Sequence, residues 1–112
     1  NQCGYKPGGT DNGIMLHQMG VTDADMRRFS LLPEWRYITL RECPVHDAGF
    51  KHLANQSELL FLDIGETGVT TLHPIRAATK LQKLWCDRLE LLTDRKAVAL
   101  ANFTDLRFLD LC

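Results

Sequence analysis

Residues 42–53, ECPVHDAGFKHL, bring together side chains that could do chemistry. Within the ten residues Cys43–His52 lie one thiol (Cys43), two imidazoles (His46 and His52) and the carboxylate of Asp47. Four converging ligands of these types would hold a tetrahedral zinc ion. A thiolate beside an imidazole would make a nucleophilic pair. Either chemistry requires the side chains to converge, so the elements that carry them decide between these readings.

Elsewhere the chain offers less. It has no Walker loop, GxSxG elbow, HExxH helix or dinucleotide fingerprint. The Gly-rich stretch KPGGTDNG at 6–13 lacks the Lys-Ser/Thr ending of a phosphate loop and is expected to be a leader or turn. Asp and Glu are scattered, with no paired acid and base. His17 is a lone histidine and a weak ligand candidate. The expectation is a chain that is not an enzyme and needs no metal or cofactor.

The totals bound the architecture. At 112 residues the chain has room for one core. Thirteen basic and fourteen acidic residues give a net charge of −1, which points to neither a nucleic-acid partner nor an anionic membrane. A 45% hydrophobic content suits a folded domain. No apolar run approaches the roughly 20 residues of a membrane helix.

The chain repeats itself. WRYITL (35–40), LLFLDI (59–64), LQKLWC (81–86) and LRFLDL (106–111) share apolar residues at their first, fourth and sixth positions. Their starts are 24, 22 and 25 residues apart, and Ile14 and Leu16 supply an incomplete copy 24 residues before Ile38 and Leu40. The intervening segments agree too: VTDADMRRF (21–29), VHDAGFKHL (45–53), LTDRKAVAL (92–100) and a shortened VTTLHPI (69–75). They produce the apolar columns Met26/Phe50/Leu72/Ala97 and Phe29/Leu53/Ile75/Leu100. A third, Leu32/Gln56/Ala78/Phe103, is broken only by Gln56.

Period-two alternation in LxxLxL predicts short strands near 14–16, 38–40, 62–64, 84–86 and 109–111. Apolar residues three apart in the intervening segments predict helices laid along one side. Thr22, His46, Thr70 or Thr71, and Thr93, with Asp23, Asp47 and Asp94, stand where helices would start and need caps. Pro74 suits a first helical turn. The third unit is about two residues short, so its helix is expected to be irregular. One strand and one helix cannot bury their own apolar faces, so each unit needs stacked neighbours.

Period, LxxLxL core and the V-T-D-A-G helix start together resemble leucine-rich repeats, particularly the cysteine-containing and GTxVTDAGL kinds. The copies run Trp35-x-x-Ile38-x-Leu40-x-x-Cys43, Leu59-x-x-Leu62-x-Ile64-x-x-Thr67, Leu81-x-x-Leu84-x-Cys86-x-x-Leu89 and Leu106-x-x-Leu109-x-Leu111. The resemblance covers about residues 12–112. It departs from the pattern at Trp35, Cys86 and Leu89. It implies an α/β solenoid, a right-handed arc with a parallel sheet on the concave side and helices on the convex side. Residues 1–13 would be a leader or capping loop, and 14–112 about four repeats plus an incomplete first one.

Residues between the buried leucines would then project from the concave face in columns. The first is Tyr37, Phe61, Lys83, Phe108; the second Met15, Thr39, Asp63, Trp85, Asp110; the third His17, Arg41, Gly65, Asp87, Cys112. Exposed aromatics that cluster mark interaction surfaces. The expected partner-binding set is therefore Tyr37, Phe61, Trp85 and Phe108 with a polar surround of Arg41, Asp63, Lys83, Asp87 and Asp110. Cover by residues 1–13, including Tyr5, is the alternative.

The resemblance implies a protein–protein interaction module, a subunit or fragment of a larger assembly, with another protein on the concave face. A further chain or repeat would cover the C-terminal end, because an uncapped solenoid exposes core and strand edge. Substrate-recognition parts of ubiquitin ligase adaptors and small mitochondrial assembly proteins such as ATP synthase coupling factor B carry similar cysteine-type repeats. Cys43 and Cys86 fall in different ladder positions, too far apart for a disulfide, leaving at most Cys3 with Cys112 or another cysteine. Free thiols point to an intracellular compartment, cytoplasmic or mitochondrial.

In this register the opening stretch comes apart. Cys43 takes a turn position and bonds to backbone, Val45, Phe50 and Leu53 point inward, Gly49 permits close packing, and His46 and His52 lie at the helix start and on the outer side.

Overall fold

Short alternating segments cannot form long elements, and the elements observed are short. The computed structural model describes residues 13–31, 34–89 and 101–110. Five three-residue strands, β1 (Gly13–Met15), β2 (Tyr37–Thr39), β3 (Phe61–Asp63), β4 (Lys83–Trp85) and β5 (Phe108–Asp110), form one parallel sheet in the order β1-β2-β3-β4-β5. The register pairs Ile14 with Ile38, Ile38 with Leu62, Leu62 with Leu84 and Leu84 with Leu109. Strand follows strand at strides of 24, 24, 22 and 25 residues. Each strand starts one residue earlier than the alternation predicts. The following position continues the ladder through single bonds instead, such as Leu40 N–H to Asp63 O at 2.8 Å and Ile64 N–H to Trp85 O at 2.9 Å.

The connections return through single helical turns. Helix α1 (Asp23–Met26) runs into a 3-10 turn at Arg27–Ser30, and α2 (Asp47–Phe50) into another at Lys51–Leu53. The third connection has only the 3-10 turn His73–Ile75, with Pro74 in its first turn. Its shortness follows from the missing residues, because a unit two residues shorter has no length for an α-turn as well. Thr22 caps α1 in a capping box: its hydroxyl accepts from the Asp25 N–H while the Asp25 carboxylate accepts from the Thr22 N–H. Helix α1 packs on α2, and the following 3-10 turns pack in the same sequence. Thr93 and Asp94, residues 1–12, Leu111 and Cys112 lie outside the described residues.

Between sheet and helical turns sits the core. Ile38, Leu40, Leu59, Leu62, Ile64, Leu81, Leu84 and Cys86 from the strand segments are buried against Met26, Phe29, Phe50, Leu53, Leu72 and Ile75. Burying each such aliphatic or aromatic side chain contributes about 1.5–3 kcal/mol. Gln56, the polar member of its column, is buried too, and its side-chain oxygen accepts the Trp35 N–H at 2.7 Å. The amide thus ties the preceding unit's strand segment to this turn, at a backbone group that would otherwise be buried unpaired.

Candidate functional site

The ECPVHDAGFKHL side chains diverge. The Cys43 thiol donates to the Leu16 carbonyl at 2.9 Å, toward the preceding unit. His46 is largely exposed, with Nδ1 3.4 Å from Asp23 Oδ2, and its ring lies against Gly68. His52 is half-buried in the 3-10 turn after α2. Gly49 is buried where a Cβ would come within 2.8 Å of the Asp23 backbone. The carboxylates expected to cap their own helices reach sideways instead. Asp23 accepts from the N–H groups of His46 and Gly49, at 2.7 and 3.0 Å, and Asp47 accepts from the Thr70 N–H at 2.8 Å and from its hydroxyl. A four-residue helix stacked beside its neighbour places its first-turn carboxylate at the next unit's exposed N–H groups. Among the described residues no group of three or more His, Cys, Asp or Glu is arranged to hold a metal ion.

On the sheet face away from the leucine core, the expected partner-facing residues separate into two sets. Tyr37 and Trp85 are 1% and 4% exposed, and Arg41, Asp63 and Asp87 are fully buried, with Asp110 at 7%. The expectation that these six project to solvent is therefore corrected. Parallel strands stand about 4.8 Å apart, so side chains of one column, or of adjoining columns on neighbouring strands, touch one another. Tyr37 meets Phe61 edge-on, ring centroids 6.3 Å apart, and Trp85 meets Phe108 at 5.4 Å. Charges of opposite sign in adjoining columns close on each other in the same way.

Arg41, just after β2, reaches across two units. Its Nε donates to Asp63 Oδ2 at 2.8 Å, Nη1 donates to Asp87 Oδ2 at 3.0 Å, and Nη2 donates to Asp87 Oδ1. The remaining Asp63 oxygen accepts the Gly65 N–H at 2.9 Å. Glu66, one-third exposed, adds a carboxylate 3.4 Å from Nη1. The guanidinium passes over Gly65, where a Cβ would stand 2.6 Å from Asp87 Oδ1 and from Arg41 Cζ. Glycine is required there by space, since any side chain would separate the pair. Burial alone would lower the Arg41 pKa, but the bonds to Asp87 and Asp63 outweigh it and hold the guanidinium above its ordinary range. Burial raises the Asp63 carboxyl above the usual range, against the opposing bond from Arg41.

The second set is accessible. Lys83 is exposed, Phe61 and Phe108 are half-buried, and Lys83 Nζ sits 5.5 Å from the Phe61 ring centroid. The row immediately before this column, Arg36, Leu60, Gln82 and Arg107, is joined strand to strand. Leu60 N–H and Phe61 N–H both donate to Arg36 O, and Arg107 N–H and Phe108 N–H both donate to Gln82 O. Arg36 and Arg107 are exposed at its two ends. The sequence reading did not include these arginines, although their place one position before the Tyr37/Phe61/Lys83/Phe108 column was available from the register.

A third row lies at the other strand ends. Gln18, Glu42, Glu66 and Arg88 all adopt positive φ, between 56° and 60°. Every strand from β1 to β4 thus turns out of the sheet through a left-handed residue that is not glycine. No residue-type signal marks this row, since none of the four is Gly, Asn or Asp.

No protein-family model matches the chain, and no curated protein matches it. Among the described residues no helix is long and apolar enough to cross a membrane.

Proposed function

We propose that the chain is a leucine-rich-repeat-type solenoid that works as a non-catalytic protein-interaction module, engaging its partner through the sheet face opposite the leucine core. The observation that carries this reading is the accessible column Phe61–Lys83–Phe108, in register on three neighbouring strands. The sequential parallel order and the 22–25-residue stride support the solenoid. In a solenoid of this type the sheet lines the concave side of an arc, and rings with a cation between them suit a protein contact. The buried members of the set, Tyr37, Trp85, Arg41, Asp63, Asp87 and Asp110, then form the support that fixes the strip. Such a module contributes a surface and no reaction. Cys43 is a buried free thiol, which suits a reducing, intracellular compartment.

Photo-crosslinking tests the surface. A benzoylphenylalanine at position 82, half-buried beside Lys83, should give a protein adduct in extract of the source cells, whereas one at Lys51, exposed in the turn after α2, should not. Equal yields from the two positions, or none from position 82, would remove the proposed face.

A further inference from the structure

Resting on that reading, we infer that the partner segment is an acidic peptide carrying an aromatic or large aliphatic anchor, laid across the strands over Arg36, Phe61, Lys83, Arg107 and Phe108. Three cations stand on this strip, and among the described residues none of their side chains makes a hydrogen bond or ion pair. Lys83 only overlies the Phe61 ring. Of the carboxylates within two residues of these cations, Glu34 already accepts from the Ser57 N–H and hydroxyl, at 3.1 and 2.6 Å. Asp105, two residues before Arg107, is exposed. The three cations thus have one unengaged carboxylate within two residues of them, on a chain whose net charge is −1. This local excess comes from placement rather than composition.

The contrast with other cations of the chain sharpens the assignment. At the other strand ends Arg41 is fully neutralised by Asp63 and Asp87. Lys80, on the segment before β4, is paired with Glu58 at 2.9 Å. Arg36, Lys83 and Arg107, like Arg88 beyond β4, have no such partner among the described residues. With the cations stand the half-buried Phe61 and Phe108 rings, each in contact with Tyr37 or Trp85 on the neighbouring strand. Rings held in this way lose little side-chain freedom when a partner side chain settles against them.

The dimensions suit a short extended segment. From β2 to β5 is three strand spacings, about 14 Å. An extended peptide covers that distance in about four to five residues. Carboxylates at its two ends would meet Arg36 and Arg107, a central one Lys83, and an apolar side chain the accessible edge of the Phe61 or Phe108 ring. Attraction of this kind acts mostly on association and is screened by salt.

Fluorescence polarisation with defined probes tests this chemistry. The probes are a labelled eight-residue peptide containing Glu, Asp and two Phe, its counterpart with Phe replaced by Ser, its counterpart with acids replaced by Lys, and a twelve-nucleotide oligothymidine. The acidic-aromatic peptide should bind best. Lys83→Glu, or Arg36→Glu with Arg107→Glu, should weaken it by roughly tenfold or more, and raising the salt should weaken it further. Lys51→Glu should leave binding unchanged. All these positions are exposed, and unchanged thermal unfolding would show the variants folded. Equal binding of the oligonucleotide or the Ser-substituted peptide would overturn the proposal in favour of a general polyanion surface. Concentration-dependent dimerisation abolished by Lys83→Glu would overturn it in favour of a second copy of the chain. Persistence of the position-82 adduct in an Arg36→Glu/Arg107→Glu background would refute the acidic chemistry while leaving the interaction face standing. Loss of any adduct in the unsubstituted background would remove both.

Discussion

Arg41 and Asp87 are 46 positions apart in sequence, yet form a two-pronged ion pair on the sheet, with both side chains fully buried. The pair crosses the unit between them through the space left by Gly65 and gathers Asp63 on the way. Three successive units are thereby fastened by one guanidinium. A cation and two carboxylates withdrawn from water must satisfy each other, because each unpaired ion would carry several kcal/mol of desolvation penalty.

Removing only the cation should therefore be severe. Arg41→Met leaves Asp63 and Asp87 facing each other and should cost about 3–5 kcal/mol, measured by urea unfolding at neutral pH. Arg41→Lys keeps the charge but not the planar fork, so it should recover only part of the loss. The triple variant Arg41→Met/Asp63→Leu/Asp87→Leu should recover most of it, because an apolar cluster needs no pairing. A triple variant as unstable as Arg41→Met would show that the charges themselves are required.

The Asp63 carboxyl gives this cluster a pH signature. Its folded pKa is raised above the ordinary value of 3.8 by burial. Between those two values the folded chain binds more protons than the unfolded one, so this group's contribution falls as pH rises through the window. Asp25 and Glu34 act oppositely: hydrogen bonds from Thr22 and from Ser57 lower their pKa values, and stability from them is lost on acidification. The Asp63 part is isolated by comparison with Asp63→Asn. The stability of the native chain relative to that variant should increase as pH is lowered from 7 toward 4, in urea titrations at several pH values. A difference independent of pH would contradict the raised carboxyl.

The strand ladder was legible in the sequence because a two-residue alternation repeated at nearly constant stride leaves one register. Ile38, Leu62, Leu84 and Leu109 do pair as the LxxLxL copies align them. Gln56 stood out as the polar exception, but nothing in its own segment shows that its acceptor serves Trp35. The outer face was read less well. The alternation says which residues leave the core, not whether they end in water. Tyr37, Asp63 and Trp85 are buried because of what adjoining columns bring to them. Asp23 and Asp47 were recognised as capping residues, yet the partners they cap belong to the next unit.

That reassignment can be measured at Asp47. Its carboxylate accepts both the N–H and the hydroxyl of Thr70, so Asp47→Ala strands a partly buried N–H and should cost about 1–3 kcal/mol. Asp47→Asn keeps one acceptor oxygen and should cost less. Amide hydrogen exchange should accelerate at Thr70 in the Ala variant and stay slow within α2. The opposite pattern would return Asp47 to an ordinary cap of its own helix.

Arg88 offers a change in the stabilising direction. Its φ of 59° lies in the left-handed region, which costs a residue with an ordinary Cβ about 1–2 kcal/mol. Asn and Gly occupy that region with less strain, and Arg88 is exposed with no side-chain bond among the described residues to lose. Arg88→Asn should therefore stabilise the chain by about 0.5–1 kcal/mol, a rise in Tm of about 4 °C for a domain of this size. Glu66→Asn is the informative contrast, since Glu66 has φ 56° but also holds a carboxylate 3.4 Å from Arg41. Relief of backbone strain and loss of that charge then oppose each other, and the gain should be smaller than at position 88. Thermal unfolding of the two variants side by side separates the backbone term from the electrostatic one.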